Sequence, residues 1–396
     1  MGKGRGQAHR AAAGPRAGAL AVIVAFVLLT YRPDAPAGIE RSIAALAAGL
    51  RELGHGTLIV TGTAVTGAGR DRTEPGMLRL RSVRLPDPAT EEDLLAVLAD
   101  PAPVRAEVVE VLTHWGADVV CWTDATWGLG YLAPAPPGIR TALMVRVPRA
   151  DGPLHKALSR PPDVVLTNSR FTAAECARLG NDTDRWAVVP NALIDLGMPT
   201  TELGRESQRQ AGPVRVVARA EPHKGIRELI DAMPSNLGRP LDVVLAEAGF
   251  EYWPGMQADV LAECRQAAGV ATGEVRILPP LSWRDVSPFL GGAALSVVAS
   301  TSPETFGNAA AEALAVGTPV VAYDFGHVPE LVGPAGSVVD RSLGPDGLWD
   351  AARRLLGDPV AYRQASAAGP ARVGGHTPAV AAAAFLAAID PAGGRR

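Results

Sequence analysis

Short, continuous apolar runs alternate along most of the chain with stretches of helical period. In the first half the runs are Val22–Leu29, Thr57–Thr61, Asp118–Trp122, Ala142–Val147, Val164–Thr167 and Ala187–Pro190. Helical period lies between them, over Ile39–Leu53, Glu91–Ala99, Val104–His114 and Phe171–Leu179. The second half starts again with runs Val214–Arg219, Leu241–Ala246, Val275–Leu278, Leu295–Ala299 and Val320–Tyr323. Its helical stretches are Ile226–Met233, Gln257–Ala268, Phe306–Val316, Gly347–Leu356 and Ala379–Ile389. Valine-rich runs without polar alternation predict parallel strands covered on both faces. Strands alternating with helices, twice over, predict an α/β protein of two doubly wound halves. A ligand of such a fold sits in the cleft beyond the C-terminal ends of the strands.

Polar gaps set the expected boundaries. Residues 196–212, LGMPTTELGRESQRQAG, lack an apolar period and predict the interdomain linker. The first domain is then expected over 18–195 and the second over 213–375. Residues 376–396 form a C-terminal helix and tail that can cross back to the first domain, and 1–17 are expected to be a disordered basic tail. That tail and the apolar residues after it superficially resemble a secretion signal, but the run is too short to span a membrane and no small-residue cleavage site follows. A buried first strand is the expectation. A chain of 396 residues needs more than one core. With 47% apolar and 20% charged residues and a net charge of −3, a globular protein is expected, with no nucleic-acid partner and no membrane span. Cys121, Cys176 and Cys264 are too scattered for a disulfide framework, so a reducing cytoplasm is the expected compartment.

Candidate chemistry concentrates in residues 300–332, STSPETFGNAAAEALAVGTPVVAYDFGHVPELV. A strand ends near Ala299 and a helix is predicted to open at about Phe306. The unpaired amides of Phe306, Gly307 and Asn308 would then form an anion site suited to a diphosphate. Glu304, before the helix, is placed to accept hydrogen bonds from sugar hydroxyls, and Glu312, along it, from a ribose. A second segment, residues 214–232, puts Arg219 at a strand end and Lys224 at the predicted opening of the next helix. A lysine at the positive end of a helix is electrostatically misplaced unless an anion joins it. Two cations converging on the cleft can stabilise a departing diphosphate. Asp124, at a strand end in the first half, can orient an acceptor or cap a helix. No histidine pair has metal-ligand spacing, so no metal site is expected. The D-x-D at Asp182 and Asp184 falls in a polar turn and reads as solvated surface.

Residues 300–332 resemble the E-x7-E region of the retaining family 4 glycosyltransferases, which have the GT-B fold of two Rossmann-like domains facing across a cleft. The resemblance runs from about Val22 to Ile389. It implies transfer of a hexose or amino-hexose, with retention, from a nucleotide diphosphate sugar to a small hydroxylated acceptor. It also implies that Glu304 contacts the donor sugar, that Glu312 binds ribose, and that the segment Thr305, Phe306, Gly307 and Asn308 holds phosphates. Arg219 and Lys224 match the family's R…KG pair on the same phosphates. Gly38 matches one glycine of the family's donor loop, where Ala37 replaces the other. The nucleotide sugar is a co-substrate, UDP being commoner than GDP in such a family, and no further cofactor is implied. The implied mechanism is a same-face displacement without metal, and a natural-product pathway of aminoglycoside type is the expected setting. The segment DVVCWTDATW, residues 118–127, departs from the family's D-V-V-H-A-H-D at Cys121 and Thr123 but keeps Asp124. Two rivals remain open: a nucleotide-sugar epimerase of the same fold, and a binding module without turnover.

Overall fold

The computed structural model describes residues 21–32, 38–64, 75–132 and 136–390. The expected basic tail and residues 33–37, with Ala37, lie outside the described residues. The first half runs β1 (Ile23–Val27), α1 (Gly38–Glu52), β2 (Gly56–Ala64), β3 (Met77–Leu85), α2 (Glu91–Val97), α3 (Ala102–Trp115) and β4 (Val119–Trp122). It continues through β5 (Arg140–Val145), α4 (Gly152–Ser159), β6 (Val164–Thr167), α5 (Arg170–Arg178) and β7 (Ala187–Val188). After α6 (Glu202–Ala211), the second half comprises β8 (Val214–Arg219), α7 (Ile226–Asp231), β9 (Leu241–Ala246), α8 (Met256–Val270), β10 (Val275–Leu278), α9 (Trp283–Gly291) and β11 (Leu295–Val298). Then follow α10 (Asn308–Ala315), β12 (Val320–Tyr323), α11 (Val328–Val332), β13 (Gly336–Val339), α12 (Gly344–Gly357), α13 (Pro359–Val373) and α14 (Pro378–Ile389).

Among the described residues the first sheet has strand order β3-β2-β1-β4-β5-β6-β7 and the second β10-β9-β8-β11-β12-β13. All the strand pairs are parallel. Each order reverses once, between β1 and β4 and between β8 and β11. The loops leaving those four strands diverge there and open a crevice, the place where doubly wound sheets take ligands. Strands β1 and β4 are almost wholly buried, which explains their unbroken apolar runs. Apolar clusters cover both faces of each sheet.

Two segments at the expected boundaries take a definite form. The stretch 196–212 contains helix α6, whose N-cap Thr201 accepts from Gly204 N–H at 3.2 Å. The one buried residue of α6 is Arg205, whose guanidinium donates to Thr318 Oγ1 at 2.7 Å and Ala293 O at 3.1 Å. A helix that docks through a guanidinium shows no apolar period. Helix α14 leaves the second half and packs on α1, seating Phe385 5.8 Å from Phe26 of β1.

Candidate active site in the interdomain cleft

A cavity of about 360 Å³ lies between the halves, at both points where strand order reverses. Gly38, Asp124, Arg219, Lys224, Glu304, Thr305, Phe306, Gly307, Asn308 and Glu312 all line it. Residues distant in sequence are therefore brought to one place: Gly38 follows β1, Asp124 follows β4, Lys224 follows β8, and Glu304–Asn308 follow β11.

The diphosphate end is built differently in detail from the sequence expectation. Helix α10 opens at Asn308, later than predicted, with Gly307 as its cap at φ 93°. Phe306 and Gly307 thus lie in the loop before the helix; the Phe306 side chain is buried and its ring stacks on His327, the centroids 5.7 Å apart. The first turn of the helix starts at Asn308. A Cβ on Gly307 would also stand 2.8 Å from Val328 Cγ2, so the backbone needs glycine twice over. Lys224 does not open α7 either. It ends a single 3₁₀ turn, Pro222–Lys224, and Gly225 at φ 65° turns the chain into the helix.

Both expected cations already have carboxylate partners. Lys224 Nζ donates to Glu304 Oε1 at 2.7 Å, and Arg219 Nη1 lies 2.8 Å from Glu221 Oε1. Burial alone would raise the pKa of Glu304, but Lys224 and the Ser300 hydroxyl hold it below the usual carboxylate range. Buried Glu221 is held down in the same way by His223, Arg219 and Lys224. Motif reading missed Glu221 and Ser300, because each acts on a matched residue without belonging to a motif.

At the ribose end, Glu312 is 3% exposed and pairs across the cleft with Arg41 of α1, while its Oε2 has no hydrogen-bond partner. Burial pushes the Arg41 guanidinium down to about 10. The cleft is also bridged by Ser169 Oγ donating to Thr305 O at 2.7 Å and by Asn168 Nδ2 donating to Thr305 Oγ1 at 3.2 Å. Asn308 Nδ2 donates to Gly38 O at 3.3 Å, which places the α1 N-terminus against that of α10.

The opposite end belongs to the first half. Asp124 is buried, but no helix follows it, so it is no helix cap. Its Oδ2 accepts from Thr126 N–H at 3.0 Å and Trp127 N–H at 3.2 Å, tying the β4 loop, and lies 3.3 Å from Arg149. Burial raises its pKa against the pull of Arg149. Glu40, in the first turn of α1, is the acidic residue that sequence reading passed over. It is 3% exposed, accepts from Arg32 N–H at 3.1 Å, and its Oε1 has no partner. Burial pushes its pKa up to about 7, against the Arg32 amide and charge and the Thr30 hydroxyl. Trp127, Phe250 and Tyr252 form the apolar wall, with Trp127 and Phe250 centroids 4.3 Å apart.

Asp182 and Asp184 sit exposed in the turn between α5 and β7 and do not line the cavity. Among the described residues no group of three or more His, Cys, Asp or Glu is gathered so as to hold a metal ion. None of their helices is long and apolar enough to cross a membrane.

Comparison with known proteins agrees with this architecture. Residues 37–192 match the glycosyl transferase 4-like domain, and residues 214–358 match the glycosyl transferases group 1 family. A 2-deoxystreptamine N-acetyl-D-glucosaminyltransferase of Streptomyces fradiae is 27% identical over 372 residues, covering 83% of each chain. A D-inositol 3-phosphate glycosyltransferase of Segniliparus rotundus is 29% identical over 252 residues, 59% of this chain and 55% of that one. The solved structure of Anabaena HepE, in complex with UDP and glucose, superposes with a TM-score of 0.68 at 18% identity, covering 93% of this chain and 100% of that one. With both halves matched in order, and with the reversing parallel sheets placing the matched segments on one cleft, the chain belongs to the glycosyltransferases of the GT-B fold, a 4-like domain followed by a group 1 domain.

Proposed function

We propose that this enzyme transfers a hexose or amino-hexose from a UDP-sugar to a small cyclitol-like acceptor, with retention of anomeric configuration and without a metal ion. The observation that carries the reading is the convergence of Arg219, Lys224 and the Asn308 amide on the side of the cavity that also holds Glu304 and Glu312. UDP as the nucleotide is supported by the complex of the HepE neighbour with UDP and glucose, and the acceptor class by the 2-deoxystreptamine in the name of the Streptomyces relative.

In the reaction the bond between the anomeric carbon and the β-phosphate oxygen breaks while the acceptor oxygen bonds to the same face of that carbon. The acceptor's proton passes to the departing phosphate oxygen. Charge grows on the diphosphate as this happens, and Lys224, Arg219 and the α10 amides are fixed dipoles and charges that need no reorganisation to meet it. Glu304 holds Lys224 in place and offers its second oxygen to the sugar hydroxyls. Glu312 Oε2 takes the ribose. Asp124 and Glu40 stand where the acceptor enters, and the aromatic wall excludes the water that would hydrolyse the donor.

The test is turnover of UDP-N-acetylglucosamine with 2-deoxystreptamine, within a panel of UDP- and GDP-sugars, with NMR of the new linkage and a parallel reaction in EDTA. A product with the donor's anomeric configuration, formed equally in chelator, is expected. An inverted product sinks the mechanism, and loss of turnover in EDTA that Mn²⁺ or Mg²⁺ restores sinks the metal-independent reading.

A further inference from the structure

Among the described residues five cations line the cavity, and four of them face a carboxylate: Arg41, Arg149, Arg219 and Lys224. The fifth, Arg146, has no carboxylate partner among the described residues. It follows β5, is 4% exposed, and donates from Nη1 to Asn191 Oδ1 at 2.9 Å and from Nη2 to Met144 Sδ at 2.8 Å, while its Nε has no partner. Burial pushes its pKa down to about 10, against the pull of Cys121 and Asp124. A guanidinium remains charged there, so a buried cation is held by hydrogen-bond partners that are all neutral. That arrangement is costly unless a ligand brings the counter-ion.

Its neighbours indicate which ligand. Asn191, which accepts from Arg146, donates through Nδ2 to Asn308 Oδ1 at 3.4 Å. Asn308 is the first residue of α10. The orphan guanidinium and the free amides of α10 are therefore one asparagine pair apart, on opposite sides of the cleft. Their charges are of one sign, and a single anion between them would answer both.

We propose that Arg146 grips the donor's diphosphate from the first half of the molecule, opposite Arg219 and Lys224 in the second. This rests on the nucleotide-sugar reading above and adds to it a contact from the acceptor side. The anion has its full set of partners only when the halves are closed, so Arg146 makes closure depend on the diphosphate rather than on the nucleoside. It also sits where leaving-group charge grows, and its planar fork can bind two phosphate oxygens at once.

Calorimetric titration of wild type, Arg146→Met and Arg146→Lys with UDP, GDP and uridine tests this, alongside melting of the ligand-free proteins. For Arg146→Met, UDP affinity should fall by about tenfold or more, the scale of a lost charge-assisted contact, with uridine affinity unchanged. The ligand-free melting temperature should hold or rise, since a buried unpaired charge has been replaced by an apolar side chain of similar length. Arg146→Lys keeps the charge without the fork and should retain part of the UDP affinity; it carries the test if the methionine variant does not fold. Unchanged UDP affinity, or equal losses for UDP and uridine, overturns the assignment. So does unchanged UDP affinity with a raised KM confined to phosphorylated acceptors, which would give Arg146 to the acceptor instead. Wild type that binds neither UDP nor GDP overturns the nucleotide-sugar reading itself.

Discussion

Glu312, Lys224 and Glu40 are all buried or half-buried in one cavity, yet each should respond differently to substitution. Glu312→Ala removes the acceptor of the ribose hydroxyls and strands Arg41 beside it. Nucleotide affinity should drop by about 1–3 kcal/mol, the value of a hydrogen bond to a charged group; calorimetry showing no loss would refute the ribose role. Lys224→Ala removes charge that matters most as the diphosphate departs, so kcat should fall by roughly 10²–10³, and steady-state kinetics with only KM raised would refute it. Glu40 predicts a pH effect. Its pKa in the fold, about 7, lies above the ordinary 4.5, so the fold favours the protonated form. The stability Glu40 contributes is full below 4.5 and is lost as pH rises through 7, toward roughly 3 kcal/mol. The groups that face it are Thr30, Arg32 and Asp87. Glu40→Gln should therefore gain in melting temperature relative to wild type between pH 5 and 8, and a constant difference would refute this. At this scale the sequence was legible where a residue belongs to a motif, as Arg219, Lys224, Glu304 and Glu312 do. It was silent on Arg41 and Arg146, because what singles them out is an ion pair, or its absence, with a segment remote in the chain, and on Glu40 and Glu221, because what singles them out is burial.

At the scale of elements, legibility followed burial. Strands β1, β4, β9 and β12 were visible because both their faces are covered and every position is apolar or nearly so. Strand β3 was missed because it lies at the sheet edge, where arginines alternate with its buried positions. Helix α6 was missed because it docks through Arg205, α9 and α13 because Pro288 and Pro370 interrupt them. The start of α10 was misplaced because its boundary is drawn by a backbone angle, that of Gly307, and not by a side chain. Gly307→Ala tests that boundary. A side chain at positive φ costs roughly 1–2 kcal/mol, and here the methyl also meets Val328. The N-terminus of α10 should shift, so both urea stability and UDP affinity are expected to fall. A variant with wild-type values for both would show that the left-handed cap is dispensable.

At the scale of the whole molecule, the chain's path decides how the halves respond to each other. Helix α13 packs on α10 in the second half, and the backbone then crosses at His376, whose carbonyl accepts from Leu193 N–H at 2.9 Å. Helix α14 beyond it belongs to the core of the first half, with Ala381, Ala382, Phe385 and Ile389 buried against β1 and α1. A second bridge joins Ala89 to the Gly249–Glu251 backbone through bonds of 2.9 Å. The crossing helix thus completes the half that precedes it in sequence, and the stability of that half depends on the last helix of the chain. Phe385→Ala tests the dependence. Truncating a fully buried phenylalanine costs about 3–5 kcal/mol, partly through the cavity it leaves. The loss should fall on the first half: amide protection in α1 and β1 should drop, while that in α8 and β9 stays near wild type. Calorimetry should then resolve an early transition for the first half ahead of the second. UDP, held mainly by the second half but gripped across the cleft, should raise the early transition as well as the late one. Equal loss of protection in both halves would mean that the two sheets unfold as one unit and that α14 is not the element that joins them.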